Sequence, residues 1–408
     1  MTDGGYLGPA PEEVTVRCQG CHLLWAAEAR AGGWPVHATV GPVLPHPLCP
    51  RGHDGHPDKA CAERPVALAP SAGPLLAERL VHDPGLDLWM SDVVLTTPVG
   101  PHGHAAVVGG GLSRDRETSR LIGWAEAVER RCAMRRPRGA VRRLPNGLAE
   151  EAAPRSWHVA GKYLATGEST WIPLVDATLT GTTDTTGMAA FPTRDGALRG
   201  GLREWGERAA LAQWWSGGKG VRCRDHTDLA ASLLATSATV ASGATCQVWH
   251  TSWGPLRVAG CLLITPTNQG PRAIFGSGAA ADTASAVVSA YHEALQLHVT
   301  AGVIRGPNGA ARFGPQYVGA PLSEEFLDRF FTEFPVERGC TTVPEDSERL
   351  DTGLDGLLAT AGPRTAAVDC ADPLADALGL HVVRVVCPDL PRWSARTTSP
   401  TGLTPAFL

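Results

Sequence analysis

The sequence predicts an α/β fold with mixed or antiparallel sheets and two long helices, preceded by a small cysteine-rich segment. From about residue 105 onward, short apolar runs typical of strands alternate with stretches of helical periodicity. Two of the expected helices carry the same Glu-x-x-Glu-Arg pattern, at 126–130 and at 204–208. Residues 1–65, in contrast, hold four of the eleven cysteines and show little periodicity.

The composition excludes several classes of protein. The 408 residues are 43% hydrophobic and 19% charged, as in globular proteins, and no run of about 18 uninterrupted apolar residues occurs. A formal net charge of -5 argues against general nucleic-acid binding, which needs a basic face. The N-terminus lacks the basic and apolar regions of a signal peptide. We therefore expect a cytoplasmic protein without a membrane segment.

Two units are expected, a cysteine-rich segment at 1–65 and a larger domain at 66–408. Cys18 and Cys21 have the spacing of one half of a zinc knuckle, and Cys49 and Cys61 can complete a tetrahedral thiolate site, with His53 or His56 as alternatives to Cys61. Free reduced cysteines in a loop-rich segment are the alternative. A zinc site here predicts a structural docking role rather than a reaction centre.

The larger domain is expected to begin with a short helix at 73–81 and an apolar run at 86–95. An apolar strand and a triple glycine then lead to a helix that begins at Ser113, its expected N-cap, and runs to about Met134. The remaining expected elements are a strand at 171–175, a helix from Thr193 past Trp215, strands at 246–250 and 257–264, a helix at 283–303 and a strand at 381–387.

Each Glu-x-x-Glu-Arg helix places two carboxylates on one face, because residues three apart in a helix are neighbours. The pairs are Glu126 with Glu129, and Glu204 with Glu207. Like charges this close repel, and four carboxylates that converge from two helices suit Mg²⁺. The alternative for each pair is a solvated acidic helix face.

Seven arginines lie between Arg130 and Arg143. On one face they can bind phosphate or an acidic peptide. The alternative is a solvated helix end followed by a basic tail.

Several stretches together resemble the YcaO family, in the family's order and approximate spacing over roughly residues 70–408. They are Gly109-Gly110-Gly111-Leu112-Ser113-Arg114 before the first acidic helix, Trp171-Ile172-Pro173, Thr185-Thr186-Gly187-Met188-Ala189-Ala190 before the second, Phe275-Gly276-Ser277-Gly278, Glu293-Ala294-Leu295-Gln296, and Val382 to Pro388. The resemblance implies a YcaO-type fold.

The resemblance also implies ATP- and Mg²⁺-dependent cyclodehydration of Cys, Ser or Thr in a ribosomal precursor peptide to azolines, as in bacteriocin biosynthesis. Glu126, Glu129, Glu204 and Glu207 would then hold Mg²⁺, and Arg208 and Arg130 would contact the phosphates of ATP. The implied partners are the precursor peptide and a leader-peptide-binding protein, with a homodimer as an open alternative.

Some family positions differ in this chain. Gly110 stands at the family's lysine, Ile122 at a serine and His298 at an arginine, and a serine-asparagine-glutamate element falls on Ala189, Pro192 and Gly196. These differences keep a second interpretation open, in which the chain is a non-catalytic homologue that binds the substrate peptide or a partner.

Overall fold

The computed structural model describes residues 75–99, 103–135, 137–138, 141–143, 157–178, 185–216, 224–225, 227–240, 243–266, 272–304 and 353–391, and the short strands before residue 70. Its strands are β1 Pro11–Arg17, β2 Leu24–Arg30, β3 Thr39–Val40, β4 Ala67–Leu68, β5 Leu75–Asp83, β6 Leu88–Val99, β7 Gly103–Ser113, β8 Val141–Arg143, β9 Trp157–Tyr163, β10 Ser169–Pro173, β11 Met188–Phe191, β12 Arg224–Asp225, β13 Thr245–Trp253, β14 Leu256–Thr265, β15 Arg272–Ala280, β16 Ala366–Asp369 and β17 His381–Val386. Its helices are α1 Arg116–Ala133, α2 Leu174–Ala177, α3 Arg194–Trp215, α4 Thr227–Thr236, α5 Thr283–Ile304, α6 Leu354–Ala361 and α7 Pro373–Ala377.

All strand pairs among these residues are antiparallel. Three larger sheets have the strand orders β5-β6-β7, β10-β9-β16-β17-β11 with β8 added beside β9, and β12-β13-β14-β15. The combination of helices with antiparallel sheets confirms the predicted fold class.

Two small two-stranded sheets precede the larger sheets. Strands β1 and β2 pair up to Arg17 opposite Leu24, and β3 pairs with β4. The four cysteines expected to bind zinc, Cys18, Cys21, Cys49 and Cys61, lie outside the described residues.

The first expected helix, at 73–81, is wrong, because residues 75–83 form β5. This strand pairs with β6, and the apolar stretch is too short for its periodicity to distinguish a helix from a strand. The pairing also places Glu78 against Arg120 of α1, in an ion pair whose two side chains are 1% and 2% exposed.

Two further boundaries differ from the prediction. Ser113 is the last residue of β7, where it pairs with Trp89, and Asp115 is the N-cap of α1 because its side chain accepts a hydrogen bond from the Thr118 N–H at 2.7 Å. The strand expected at 171–175 ends at Pro173, after which α2 begins. The predicted starts of α3 and α5 are confirmed, and Thr193 caps α3.

Helix α3 is the central packing element. Its buried face contacts strands of both the six-stranded and the four-stranded sheet, and Trp205, which is fully buried, donates its indole N–H to the Val385 carbonyl at 2.8 Å. Helix α1 packs between the three-stranded and six-stranded sheets, and α5 packs on the four-stranded sheet. None of the helices in the described ranges is long and apolar enough to cross a membrane.

Candidate functional site

Each of the three long helices has a glutamate at the same position relative to its first residue. Glu126 in α1, Glu204 in α3 and Glu293 in α5 each lie ten residues after the first residue of their helix. In each helix the preceding strand packs closely against the helix backbone, which brings the strand's own N–H groups within reach of the side chain.

Each of these carboxylates accepts a backbone hydrogen bond from the chain just ahead of its helix. The Gly110 N–H donates to Glu126 at 2.5 Å, and the Gly187 N–H donates to Glu204 at 2.9 Å. The Ser277 N–H donates to Glu293 in the same way. The same strand-to-helix contact is therefore repeated three times along the chain.

A second acidic residue follows one turn later in two of the helices. Glu129 accepts a hydrogen bond from the backbone of Ala190 in β11, and Glu207 accepts one from the Ser277 hydroxyl at 2.5 Å. These contacts tie α1 to β11 and α3 to β15. The four glutamates predicted from the sequence therefore lie in one region, which Glu293 extends.

Burial and mutual repulsion make several of these carboxyls hard to ionise. Burial raises the pKa of Glu129 well above its ordinary value, and the charges of Glu204 and Glu126 raise it further. Burial raises the pKa of Glu204 to about 7 despite the opposing charge of Arg208. Burial and the Glu207 charge raise the pKa of Glu293 to about 7. In the absence of a cation these three carboxyl groups therefore favour their protonated, neutral forms over the usual range of ionised carboxylates.

The two predicted arginines lie beside these acids. Arg130 forms an ion pair with Glu126 and donates to the Val108 carbonyl, and the charge of Arg208 acts on both Glu204 and Glu293. Two arginines cannot balance five carboxyl groups if all of these ionise, so a bound cation would stabilise the ionised forms.

All the acidic side chains of this region are oxygen donors, as a hard divalent cation requires. In the structure their oxygens are held by backbone N–H groups, by Ser277 and by Arg130. Across the described ranges, no group of three or more His, Cys, Asp or Glu side chains is already arranged as a metal site. The donor set fits Mg²⁺, and the carboxylates would have to exchange some of these contacts to bind it.

The arginine-rich stretch after Arg130 is used within the fold. Arg131 and Arg135 both contact Asp372 in the loop before α7, at 2.9 and 3.0 Å. Arg138 pairs with Asp376 in α7. These ion pairs fasten the end of α1 to α7, so the three side chains are engaged within the chain rather than presented to a phosphate group.

Sequence reasoning did not assign Glu293, Gln296 or Ser277 to the site. The signals were present in the Glu293-Ala294-Leu295-Gln296 and Gly276-Ser277-Gly278 stretches. What the sequence did not reveal was that α3 and α5 both pack against the four-stranded sheet, where Ser277 of β15 contacts Glu207 and Glu293.

Comparisons with known proteins identify a family and two similar folds. Residues 145–391 match the family described as YcaO cyclodehydratase, ATP- and Mg²⁺-binding. A structure described as YcaO from Methanopyrus kandleri bound with AMPPCP and Mg²⁺ is 19% identical, with a TM-score of 0.59, over 81% of this chain and 89% of that one.

A second structure is described as a heterocyclase in complex with substrate and cofactor. It is 16% identical, with a TM-score of 0.56, over 81% of this chain and 52% of that one. The chain therefore spans about half the length of that heterocyclase. Among curated protein sequences, none matches.

Proposed function

Because this chain belongs to the YcaO family, we propose that it is the ATP- and Mg²⁺-dependent cyclodehydratase component of a peptide-modifying system. The substrate is a ribosomal precursor peptide, in which Cys, Ser or Thr is converted to an azoline. The observation that supports this most directly is the meeting of five glutamates from three helices beside two arginines.

The reaction requires activation of a peptide amide oxygen. A side-chain thiol or hydroxyl loses its proton and adds to the preceding carbonyl carbon, and the amide oxygen takes the γ-phosphoryl group of ATP, which releases ADP. The C–O bond then breaks to release phosphate, while the amide nitrogen loses its proton and forms the C=N bond of the azoline. Positioning and charge neutralisation supply most of the rate enhancement in phosphoryl transfer.

The residues of the site divide into two roles in this proposal. Glu126, Glu129, Glu204 and Glu207 hold Mg²⁺, which neutralises charge on the phosphates when it is bound. Arg130 and Arg208, which in the structure lie beside these carboxyl groups, would contact the phosphates of bound ATP.

Nucleotide binding tests the proposal. A non-hydrolysable ATP analogue with Mg²⁺ should raise the melting temperature of the full-length protein and bind measurably in calorimetry, and Glu207→Ala should sharply reduce both effects. Glu168→Ala removes an exposed glutamate from the β9–β10 turn and should leave binding unchanged. If the wild-type protein shows neither a shift nor binding heat, the enzymatic proposal fails for the isolated chain.

The proposed partners are the precursor peptide and a separate leader-peptide-binding protein, and a homodimer is a further candidate assembly. Pull-down with a purified precursor, followed by light scattering of the protein alone, measures both associations.

We also propose that residues 1–65 bind a structural zinc ion. The pairing of β1 with β2 brings Arg17 opposite Leu24, on either side of the connection that contains Cys18 and Cys21. Metal analysis of the purified protein should give one zinc per chain, and Cys18→Ser should reduce that content. Zinc far below one per chain and indifferent to Cys18→Ser rules this site out.

A non-catalytic homologue is the second candidate function, and Gly110 is the observation that favours it. The side-chain amide of Gln296 lies so close to the Gly110 α-carbon that an added Cβ would be 1.8 Å from its nitrogen. A lysine cannot occupy this position unless Gln296 moves. Binding of the precursor peptide without binding of nucleotide would favour this function.

A further inference from the structure

Ser277 connects two of the acidic helices through one hydroxyl group. Its Oγ lies 2.5 Å from a carboxylate oxygen of Glu207 in α3 and 3.1 Å from one of Glu293 in α5. Its backbone N–H donates to the same Glu293 oxygen. At the two equivalent positions, Gly110 and Gly187 offer only a backbone N–H.

The strand around Ser277 has little freedom to move relative to α5. A Cβ on Gly276 would lie 2.3 Å from the Ala290 carbonyl oxygen, and one on Gly278 would lie 2.6 Å from the Ala290 nitrogen. Both contacts are with helix backbone. Ser277 itself is buried, at 4% exposure. The Ser277 hydroxyl is therefore held in one position, from which it contacts both α3 and α5.

The contacts of this hydroxyl set the spacing of two like charges. A serine has one O–H hydrogen, so it donates to one carboxylate at a time, and the shorter contact identifies Glu207 as the acceptor. Glu293 stays beside it because the Ser277 N–H holds it. Without the hydroxyl, Glu207 would have no such contact with β15 and would be repelled by Glu293.

We propose that Ser277 is a positioning residue that holds Glu207 of α3 beside Glu293 of α5, so that less of the site has to be ordered when Mg²⁺ binds. This inference rests on the proposed function, since it concerns the same site. A site whose ligands are already held in place binds its guest more tightly than one that must be ordered on binding.

The test is an Mg²⁺ titration of the full-length protein at saturating AMPPCP, with the magnesium midpoint as the readout. The variants are Ser277→Ala, which removes only the hydroxyl, and Ser277→Thr, which retains it. Ser289→Ala is the matched control, because Ser289 is an exposed serine on α5 one turn before Glu293. Thermal unfolding without metal checks that each variant is folded.

We expect Ser277→Ala to raise the magnesium midpoint by about 10-fold, as for the loss of a hydrogen bond to a charged group. Ser277→Thr and Ser289→Ala should keep the wild-type midpoint. In a Glu207→Gln background, Ser277→Ala should add little, because the two residues act as a unit.

Three results separate the possibilities. A Ser277→Ala midpoint equal to or lower than that of the wild type overturns the positioning role while leaving the proposed function intact. Full additivity with Glu207→Gln also overturns it, because Ser277 would then act independently of Glu207. If the wild-type protein binds neither Mg²⁺ nor AMPPCP, the proposed function fails and the positioning role fails with it.

Discussion

The backbone N–H of Gly187, in the turn just before β11, donates to the carboxylate of Glu204 in α3 at 2.9 Å. Gly187 has a φ of +84°, which L-residues with side chains rarely adopt. Its α-carbon also approaches the Val385 carbonyl and the Trp205 indole. Only glycine fits at position 187, and the N–H group of this glycine orients the buried carboxyl group of Glu204.

Gly187→Ala should consequently destabilise the protein strongly. The added Cβ would lie 2.2 Å from the Val385 oxygen and 2.4 Å from Trp205 Nε1, in addition to the strain of the left-handed conformation. We expect the free energy of unfolding to fall by about 3 kcal/mol or more, as overpacking and backbone strain combine. Urea denaturation measures the change.

Gly167→Ala is the control for this substitution. Gly167 has a φ of +73°, but nothing lies within 4 Å of where its Cβ would be. Only the strain of the left-handed backbone conformation applies, so we expect the free energy of unfolding to fall by about 1 kcal/mol. Equal losses for the two variants would show that close packing around Gly187 contributes nothing.

The second prediction concerns Asp372, which is 5% exposed and contacts both Arg131 and Arg135. Its carboxylate also caps α7 by accepting the Ala375 N–H at 2.9 Å. Asp372→Ala leaves the buried Arg131 without this partner, and breaking a buried pair costs about 3–5 kcal/mol. Urea denaturation should show that loss.

Asp195→Ala is the matched control because it breaks an exposed pair with Arg199, whose side chains are 57% and 50% exposed. Exposed helix pairs contribute about 0.5 kcal/mol or less. A comparable small effect for Asp372→Ala would show that the link between α1 and α7 is not needed for stability.

The sequence predicted the helices of this site better than the contacts between them. The Glu-x-x-Glu-Arg repeat and the cap at Thr193 are local signals, and α3 forms where they indicate. The strand at 75–83 depends on pairing with β6, and the role of Asp372 depends on contact with a residue 241 positions away in the chain. Such distant pairings leave no periodic pattern in one sequence.

The same reason explains why Asp83 gave no signal in the sequence. Its buried carboxylate, at the end of β5, accepts hydrogen bonds from both its own turn and the segment after α4: the Ser237 hydroxyl at 2.6 Å and the backbone N–H groups of Gly85, Leu86, Ala238 and Thr239 at 3.0–3.1 Å. Burial alone would raise the pKa of Asp83, but these hydrogen bonds lower it below its ordinary value.

The third prediction is therefore a pH-dependent loss of stability. A carboxyl whose pKa is lowered by folding stabilises the protein above its unfolded pKa, near 3.8, and this contribution is lost as pH falls through the folded pKa. Asp83→Asn should lower the free energy of unfolding by about 2–3 kcal/mol at pH 7, since a charged acceptor is lost. The difference from the wild type should shrink below pH 3.8.

Urea denaturation at about pH 7, 5 and 3, which together span the titration range of carboxyl groups, measures the change. Asp87→Asn is the control, because the Asp87 side chain lies in the same turn and is 79% exposed. A difference between Asp83→Asn and the wild type that stays constant with pH would contradict the assigned role of the carboxylate.

The last prediction concerns Gly109 and Gly110, which are adjacent in β7 but face different neighbours. A Cβ on Gly109 would lie 2.1 Å from the Ala127 nitrogen of α1, which cannot move without the helix. A Cβ on Gly110 would meet the flexible end of Gln296 instead. Gly109→Ala should therefore cost about 3 kcal/mol or more, and Gly110→Ala about 1 kcal/mol.

The double variant Gly110→Ala with Gln296→Ala decides whether Gln296 is the obstacle. Compared with Gln296→Ala alone, the added methyl group at position 110 should then leave the free energy of unfolding nearly unchanged. The reason is that the three atoms nearest to this methyl group all belong to the Gln296 side chain. The backbone N–H at this position can still donate to Glu126, so the acid stays in place. If Gly110→Ala is as costly in the Gln296→Ala background as in the wild type, the strand itself excludes a side chain at this position, and the absence of a lysine here reflects the backbone rather than Gln296.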